Sequence, residues 1–291
     1  MKLQRLMQLT CVASMTITIC ACNGNKTAND EKSCCKDSLT TDTVAQYVIE
    51  KVSAADSADI AGGYAKASCS LSYLKDTGDD TRLASNVNSW IREMLGVKDT
   101  AVAMGAPLAD RIVSDRMGES RSDLTEFAKD AASEGYEFAM QYEFDYNIEP
   151  IATTPKYITF LFTSYIYTGG AHGGAAAIGQ TFNSSNGYRL DRDMFRQGTD
   201  EAVLRLVKEE IARQYFDVPV SQLSDQLLLD GSTFPMPVNP PYFTEKGVNF
   251  QYQQYEIAPY SAGMPECVIP FDKLQPYFTD SVAKLLGLEK D

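Results

Sequence analysis

The residues best suited to chemistry lie in one short segment, Tyr167-Thr-Gly-Gly-Ala-His-Gly-Gly174, whose His172 is the only histidine in the 291-residue sequence. A Ser-His-Asp triad would need this histidine as its base, but no G-x-S-x-G motif accompanies it. Metal sites usually combine two or three histidines. Phosphate loops need glycines that lead into a helix. We therefore interpret His172 as a binding or structural residue and expect no catalytic residue, metal or cofactor.

Tyrosines in the C-terminal third form a second group with chemical potential. Tyrosine is common at binding surfaces because it offers apolar area and one hydroxyl at low entropic cost. We interpret Phe243 and Tyr252 as core residues, and Tyr260 in the 258–263 loop as the best exposed candidate. The candidate ligand-binding residues from the two loops are Gly170, His172, Gly173, Pro259, Tyr260 and Ser261.

Hydrophobic periodicity predicts the elements that position these loops. Alternation predicts strands over 67–75, 141–149, 157–168 and 248–257, the last with a bulge near Gln253 and Gln254. Asn186-Gly187 predicts a hairpin turn within 179–190. Helical spacing predicts helices over 80–96, 122–139 and 199–216, with a further short helix over 221–229. Residues 271–286 are predicted to form a terminal helix or a pair of helical turns. This order predicts an α+β fold, a twisted antiparallel sheet with helices packed mainly on one face.

The N-terminal residues predict where in the cell the protein is located. Lys2 and Arg5 precede an apolar run, so residues 1–21 have the pattern of a signal peptide. The run ends in Ile19-Cys-Ala-Cys22, a bacterial lipobox, so we expect lipid on Cys22 and a location on the cell envelope, facing the periplasm or the cell exterior. Residues 22–42 are polar and predict a flexible linker. We divide the rest into an N-terminal α+β subdomain at 43–139 and a C-terminal domain at 140–291.

Net charge limits the classes of partner, and the cysteines leave one question about cross-linking. Residues 1–21 contain two basic and no acidic side chains, so their removal leaves 24 basic against 39 acidic residues, a net charge of −15. This balance argues against nucleic acid, which binds clustered lysine and arginine. An acidic domain can steer a basic protein toward itself. Cys69 and Cys267 lie in predicted strands, and both a mutual disulfide and two buried thiols stay open.

Three segments together resemble a known family. They are YTGGAHGG with TFNSSNGYRLDRDMF, then PPYFTEKGVNFQYQQYEIAPYSAG, then CVIPFDKLQPYF. They are similar to the extracytoplasmic domain of the anti-sigma factor RsiV and to the accessory region of the peptidoglycan deacetylase PdaC. The similarity covers residues 140–280 well and 43–139 loosely. It implies an α+β domain that binds lysozyme through its loops, here at 168–174 and 258–263.

Departures from this family limit what carries over. The chain lacks the sigma-binding segment and spanning helix of RsiV, and it lacks the histidine-rich deacetylase domain of PdaC. The sequence thus predicts a non-enzymatic, lipid-anchored binding module whose partner is a cell-wall hydrolase such as lysozyme, or a glycan. A glycan hydrolase that uses His172 or acidic residues such as Asp191 and Asp193, and a structural envelope protein, stay open as alternatives.

Overall fold

A computed structural model describes residues 47–75, 81–229 and 233–289. The predicted signal peptide, the linker and Cys22 lie outside these residues. The segment Thr43–Asp291 forms one compact unit. Within the described ranges, no helix has both the length and the apolar character needed to cross a membrane.

A six-stranded sheet forms the larger part of the fold. Its strands lie in chain order: β1 Val48–Ile60, β2 Gly63–Lys75, β3 Gln141–Thr153, β4 Tyr157–Tyr167, β5 Gly174–Asn183 and β6 Arg189–Leu190. Neighbours are antiparallel except β2 and β3, which are parallel. A parallel pair needs a long crossover, and two helices provide it. The predicted hairpin is confirmed, since Asn183 N donates to Tyr188 O around the turn at Gly187.

The crossover helices pack on one face of this sheet. α1 is Thr81–Met94 and α2 is Ala106–Glu134. Trp90 of α1 is only 2% exposed and meets the Phe182 ring edge-on, as the predicted helix required. The second helix was predicted to start at Ser122, which is wrong. α2 begins 16 residues earlier, after Gly105 and with a proline in its first turn, where a missing N–H costs nothing.

A smaller three-stranded sheet and shorter helices form the C-terminal part. Its antiparallel strands are β7 Tyr242–Thr244, β8 Gly247–Gln251 and β9 Glu266–Ile269. α3 Asp200–Glu210 continues as a π-helix over Ile211–Tyr215. The predicted terminal helix is a pair of helical turns, α4 Phe271–Leu274 and α5 Asp280–Leu286. Short 3-10 turns cover Arg192–Met194, Val220–Gln226, Tyr260–Ala262 and Gln275–Tyr277.

Two hydrophobic cores lie on opposite faces of β4. Ile158 and Phe160 belong to the core beneath α1 and α2, whereas Tyr157 belongs to the core of the second sheet. Successive strand residues point to opposite faces of a sheet. The large sheet is therefore covered by helices on one face, and around β4 it is covered by the C-terminal part on the other face. The α+β prediction is confirmed. Because β2 pairs with β3, the segments 43–139 and 140–291 contribute to one sheet.

The two cysteines considered for a disulfide are free. Cys69 lies in the core beneath the helices and Cys267 in the core of the second sheet. Burial raises the pKa of the Cys69 thiol to about 11, and burial likewise raises the pKa of Cys267. The structure therefore has two buried thiols and not the mutual disulfide, because Cys69 and Cys267 lie in separate hydrophobic cores.

Candidate functional site

The first predicted loop connects β4 to β5. Ile166 pairs with Gly174, so residues 167–173 form the end of a hairpin. Gly169 and Gly170 have φ angles of 95° and 88°, a region that favours glycine. The Tyr167 hydroxyl donates to Gly170 O over 3.0 Å and closes the loop.

Gly173 lets a tyrosine ring lie against the loop backbone. A Cβ at this position would lie 2.5 Å from the ring of Tyr165, which is closer than any real contact. A larger residue at this position would require the Tyr165 ring to move. The glycine next to His172 therefore allows this ring and the loop backbone to lie close together.

The second part of the site begins where β8 ends. The strand was predicted to reach Ile257 through a bulge, but it stops at Gln251. Gln253 then bonds both backbone groups of Ala177 on β5, accepting at 3.1 Å and donating at 2.7 Å, and Gln254 accepts from Ala175 N at 2.8 Å. These glutamines fasten the chain to the edge of β5, so the strand cannot continue.

Tyr255 follows these glutamines with an unusual backbone. Its φ is 64°, a region that costs energy for any residue with a Cβ. Glu256 holds the turn from below, because its carboxylate accepts from Gln253 N at 2.7 Å and from Val238 N at 2.6 Å. The Tyr255 side chain is consequently turned outward and is 53% exposed.

The 258–263 loop brings the third ring. Tyr260–Ala262 forms a 3-10 turn after Pro259, and the Tyr215 hydroxyl at the end of the π-helix donates to Ala262 O. Tyr260 is half-buried, and Ser261 beside it is exposed.

His172, Tyr255 and Tyr260 form one cluster, which we call the aromatic platform. The rings of His172 and Tyr260 stack with centroids 3.7 Å apart and an interplanar angle of 19°. Tyr255 lies 5.9 Å from the Tyr260 ring and 6.2 Å from the His172 ring. Its hydroxyl lies 3.1 Å from His172 Nε2. The structure therefore brings together the two loops that the sequence identified separately.

The hydrogen bonds of His172 fix its tautomer in the neutral ring. Nδ1 lies 3.2 Å from Gly173 O, and a carbonyl oxygen can only accept, so Nδ1 carries the hydrogen. Nε2 is then an acceptor, and the Tyr255 hydroxyl donates to it. Both ring nitrogens are occupied by this arrangement. The face of the imidazole is also covered on one side by Tyr260.

A buried polar network lies where the second sheet packs against β5. The Tyr242 ring lies on Gly179 of β5, where a Cβ would lie 2.3 Å from the ring. Asn249 Nδ2 donates to the Tyr242 hydroxyl, which lies 3.5 Å from Gln251 Oε1. Burial raises the pKa of Tyr242 to about 12, so this phenol keeps its proton at neutral pH. The network fixes the second sheet against β5.

The other sequence candidates have local roles. Gly170 accepts the Tyr167 hydroxyl, and Pro259 precedes the turn that carries Tyr260. The Asp191 carboxylate accepts from Arg192 N at 2.6 Å and that of Asp193 lies 3.3 Å from Asp191 N, so both carboxylates shape a turn. No group of three or more histidine, cysteine or acidic residues in the described part of the chain could hold a metal ion.

Tyr255 is the residue that sequence reasoning placed wrongly. It was assigned to a strand, and Tyr260 was preferred as the exposed candidate, yet Tyr255 is the more exposed of the two. The sequence contained one indication of this. In a continuous strand Tyr255 would point to the opposite face from Phe250 and Tyr252, and both of these residues are fully buried, as was predicted for Tyr252. A change of parity marked the end of the strand.

Comparisons with known proteins define the class. Residues 63–175 match the family described as Deacetylase PdaC, and residues 192–272 match the protein family of unknown function DUF3298. One part of the chain is thus similar to PdaC and a following part to DUF3298, which confirms the resemblance to the PdaC accessory region. His172 lies in the first region and Tyr255 and Tyr260 in the second, so the platform combines both.

Solved structures share this fold. A crystal structure of a DUF3298 family member from Bacteroides fragilis NCTC 9343 matches with a TM-score of 0.69 at 18% identity, covering 83% of this chain and 98% of that chain. A DUF3298 family protein from Pseudomonas aeruginosa PAO1 matches with a TM-score of 0.54 at 17% identity, covering 81% and 96%. A search of curated proteins gave no match.

Proposed function

We propose that the protein is a non-enzymatic binding module of the bacterial cell envelope that captures a cell-wall hydrolase of the lysozyme type through its aromatic platform. The observation that carries this proposal is the convergence of the loops at 168–174 and 258–263 in the stacked pair His172 and Tyr260. These are the two loops through which the resemblance to a lysozyme-binding domain implies recognition.

The composition of the platform supports recognition. Binding energy at protein interfaces is concentrated in a few residues, among which tyrosine is enriched. Tyr255 presents more than half of its surface, and its conformation is fixed before any ligand arrives by Gln253, Gln254 and Glu256. A ring that is already ordered loses little entropy on binding.

The contacts of His172 favour binding over catalysis. A general base needs a free nitrogen within reach of the proton that it removes. Here Gly173 O and the Tyr255 hydroxyl occupy both nitrogens, and neither partner is a carboxylate or a nucleophilic serine or cysteine.

Charge and the N-terminus support the location and the partner. A lipid on Cys22 would hold the domain at the membrane, with residues 22–42 as the tether. A net charge of −15 after removal of the signal peptide would attract a basic protein at low salt and less at high salt.

Calorimetric titration of residues 43–291 with a c-type lysozyme, at low and moderate salt, tests this function. We expect saturable binding, with inhibition of lysozyme in a parallel activity assay. Tyr260→Ala should weaken binding by roughly tenfold, the effect of one hot-spot residue. Tyr136→Ala is the matched control, since Tyr136 is 68% exposed and lies after the end of α2, outside the platform.

The alternative outcomes are distinct. Equal affinity of Tyr260→Ala and the parent would show that lysozyme binds elsewhere. Absence of binding at both salt concentrations would remove lysozyme as the partner, and titration with cell-wall glycan fragments would then test the glycan alternative. Glycan turnover that His172→Ala abolishes would replace binding by catalysis.

A further inference from the structure

The outer edge of β1 differs from other open strand edges in this fold. At three of those edges an amide side chain bonds both the N–H and the C=O of one residue: Asn88 at Leu74, Gln253 at Ala177 and Gln214 at Val268. Within the described ranges, neither a strand nor such an amide closes the outer edge of β1. A long open edge is a template for another strand.

The register shows which residues of β1 form this edge. Tyr64 N donates to Met140 O on the β3 side, so the alternate amides of β2 face β1. Those alternate residues of β2 pair with Ala54, Asp56 and Ala58. The intervening residues of β1 therefore point their backbone groups outward. In agreement, Ser57 N bonds to the neighbouring Asp56 carboxylate. Between residues 51 and 59 the outward residues are all exposed: Lys51, Ser53, Ala55, Ser57 and Asp59.

This edge is complementary to itself. When a second β1 is paired antiparallel with Ala55 opposite Ala55, Ser53 meets Ser57 and Lys51 meets Asp59, each twice. Opposite charges on facing positions of an antiparallel pair stabilise it. Lys51 and Asp59 form no ion pair within the described part of the protomer. The small side chains at the centre allow two backbones to approach.

The neighbouring face of α2 is also complementary to itself. A groove of about 670 Å³ runs between β1 and α2 and is lined by Asp110, Ser114, Gly118 and Arg121. All four are exposed, and a Cβ at Gly118 would meet nothing within 4 Å. In an antiparallel pair of α2 helices centred on this stretch, Asp110 faces Arg121 and Ser114 faces Gly118. The charged ends attract and the small residues permit contact.

The two surfaces fit one two-fold axis. α2 lies over β1 and β2. With neighbouring strands about 4.8 Å apart, a paired β1 places the second α2 roughly 10 Å from the first, which is the distance of packed helices. An axis through Ala55 and perpendicular to the sheet therefore forms the strand pair and the helix pair together.

We infer that two copies of this chain form a dimer through antiparallel β1 strands centred on Ala55, which joins their six-stranded sheets into one sheet of twelve strands. The interface lies on β1 and α2, at the opposite end of the strand order from β5, whose edge carries the platform. The inference is independent of the proposed ligand.

Disulfide trapping tests the register directly. Residues 43–291 contain both cores and every contact described above, and their native thiols, Cys69 and Cys267, are buried. Facing residues in a hydrogen-bonded antiparallel pair have Cα atoms about 5.5 Å apart, within disulfide range. We expect Ala55→Cys to give a covalent dimer on mild oxidation. Ser53→Cys is the matched control, since its symmetry mates would lie about 13 Å apart.

Sedimentation velocity over a concentration series provides the second measurement. We expect a reversible dimer, at least a tenfold weaker dimer for Lys51→Glu, and recovery when Asp59→Lys is added to restore the pair. Lys246→Glu, on the turn between β7 and β8, should leave the dimer unchanged. Monomers at all concentrations together with no cross-linking at Ala55→Cys, or equal cross-linking of both cysteine variants, would overturn the inference.

Discussion

The neutral His172 ring carries its hydrogen on Nδ1, because Gly173 O can only accept and the Tyr255 hydroxyl donates to Nε2. Ring ¹⁵N chemical shifts distinguish the two tautomers, and a single histidine makes the assignment unambiguous. We predict the Nδ1–H form in the parent and a shift toward the Nε2–H form in Tyr255→Phe, which loses the donor. An Nε2–H form in the parent would show that Tyr255 does not bond the ring.

Alanine substitutions at two glycines of β5 test the packing of the second sheet, one as the variant and the other as its control. Gly179→Ala places a Cβ 2.3 Å from the Tyr242 ring, whereas Gly174→Ala meets nothing within 4 Å. Overpacking of this kind costs roughly 1 to 3 kcal/mol. We predict that Gly179→Ala lowers the free energy of unfolding by that amount, measured by urea denaturation, and that Gly174→Ala changes it by less. Equal free energies of unfolding for the two variants would contradict the packing of Tyr242 of the second sheet against Gly179 of β5.

At the junction of α3 and the π-helix, Glu210 makes one segment sensitive to acid. Burial raises the pKa of this carboxyl, but hydrogen bonds from Gln214, Lys273 and Arg213 outweigh burial and lower the pKa to about 2. Because this value lies below the ordinary 4.5, the ionised carboxylate stabilises the fold above about pH 4.5. That contribution is lost as the pH falls toward 2.

Glu210→Gln isolates this contribution. The substitution keeps the shape but removes the charge, so we predict a loss of about 2 kcal/mol at pH 7, the value of a buried charge-assisted hydrogen bond. The difference from the parent should shrink as the pH falls below 4.5. Glu209→Gln is the control, because the side chain of Glu209 is exposed whereas that of Glu210 is buried. A difference independent of pH would contradict the ion-pair account.

Elements with strong periodicity were predictable. α1 has a stripe of large apolar residues around Trp90, and β3 alternates cleanly, so both were identified. β1 was not predicted, because its sequence VIEKVSAADSADI is built mainly from small and polar residues. Its strand character comes from pairing with β2, which is a tertiary effect. The start of α2 was missed for a related reason, since Gly105 and Pro107 resemble a loop when no partner is visible.

The site was predictable as two loops but not as one cluster. Glycines around His172 and the Pro259-Tyr260 loop each carried a local signal. Their contact depends on Gln253 and Gln254, whose side chains bond the backbone of β5 some 76 to 79 residues away. No local pattern encodes such a bond, so the turn that exposes Tyr255 could only be seen in the structure.

Over the whole molecule, two regions with separate family matches both contribute to the aromatic platform. The part that matches PdaC contains β2, β3, β4 and His172, and the part that matches DUF3298 contains the second sheet and both tyrosines. Neither region alone contains the platform. Since Tyr242 and Gln253 fix the second sheet to β5, the distance between the two loops is set by tertiary packing rather than by loop length.

The most direct test of the account is to follow the His172 ring signal by NMR in isotopically labelled residues 43–291 while unlabelled c-type lysozyme is added. One histidine gives one ring signal, and it reports on the centre of the platform. We predict a saturable change of this signal that Tyr260→Ala suppresses and Tyr136→Ala does not. Binding of lysozyme by calorimetry with an unchanged His172 signal would contradict the claim that the aromatic platform is the binding site.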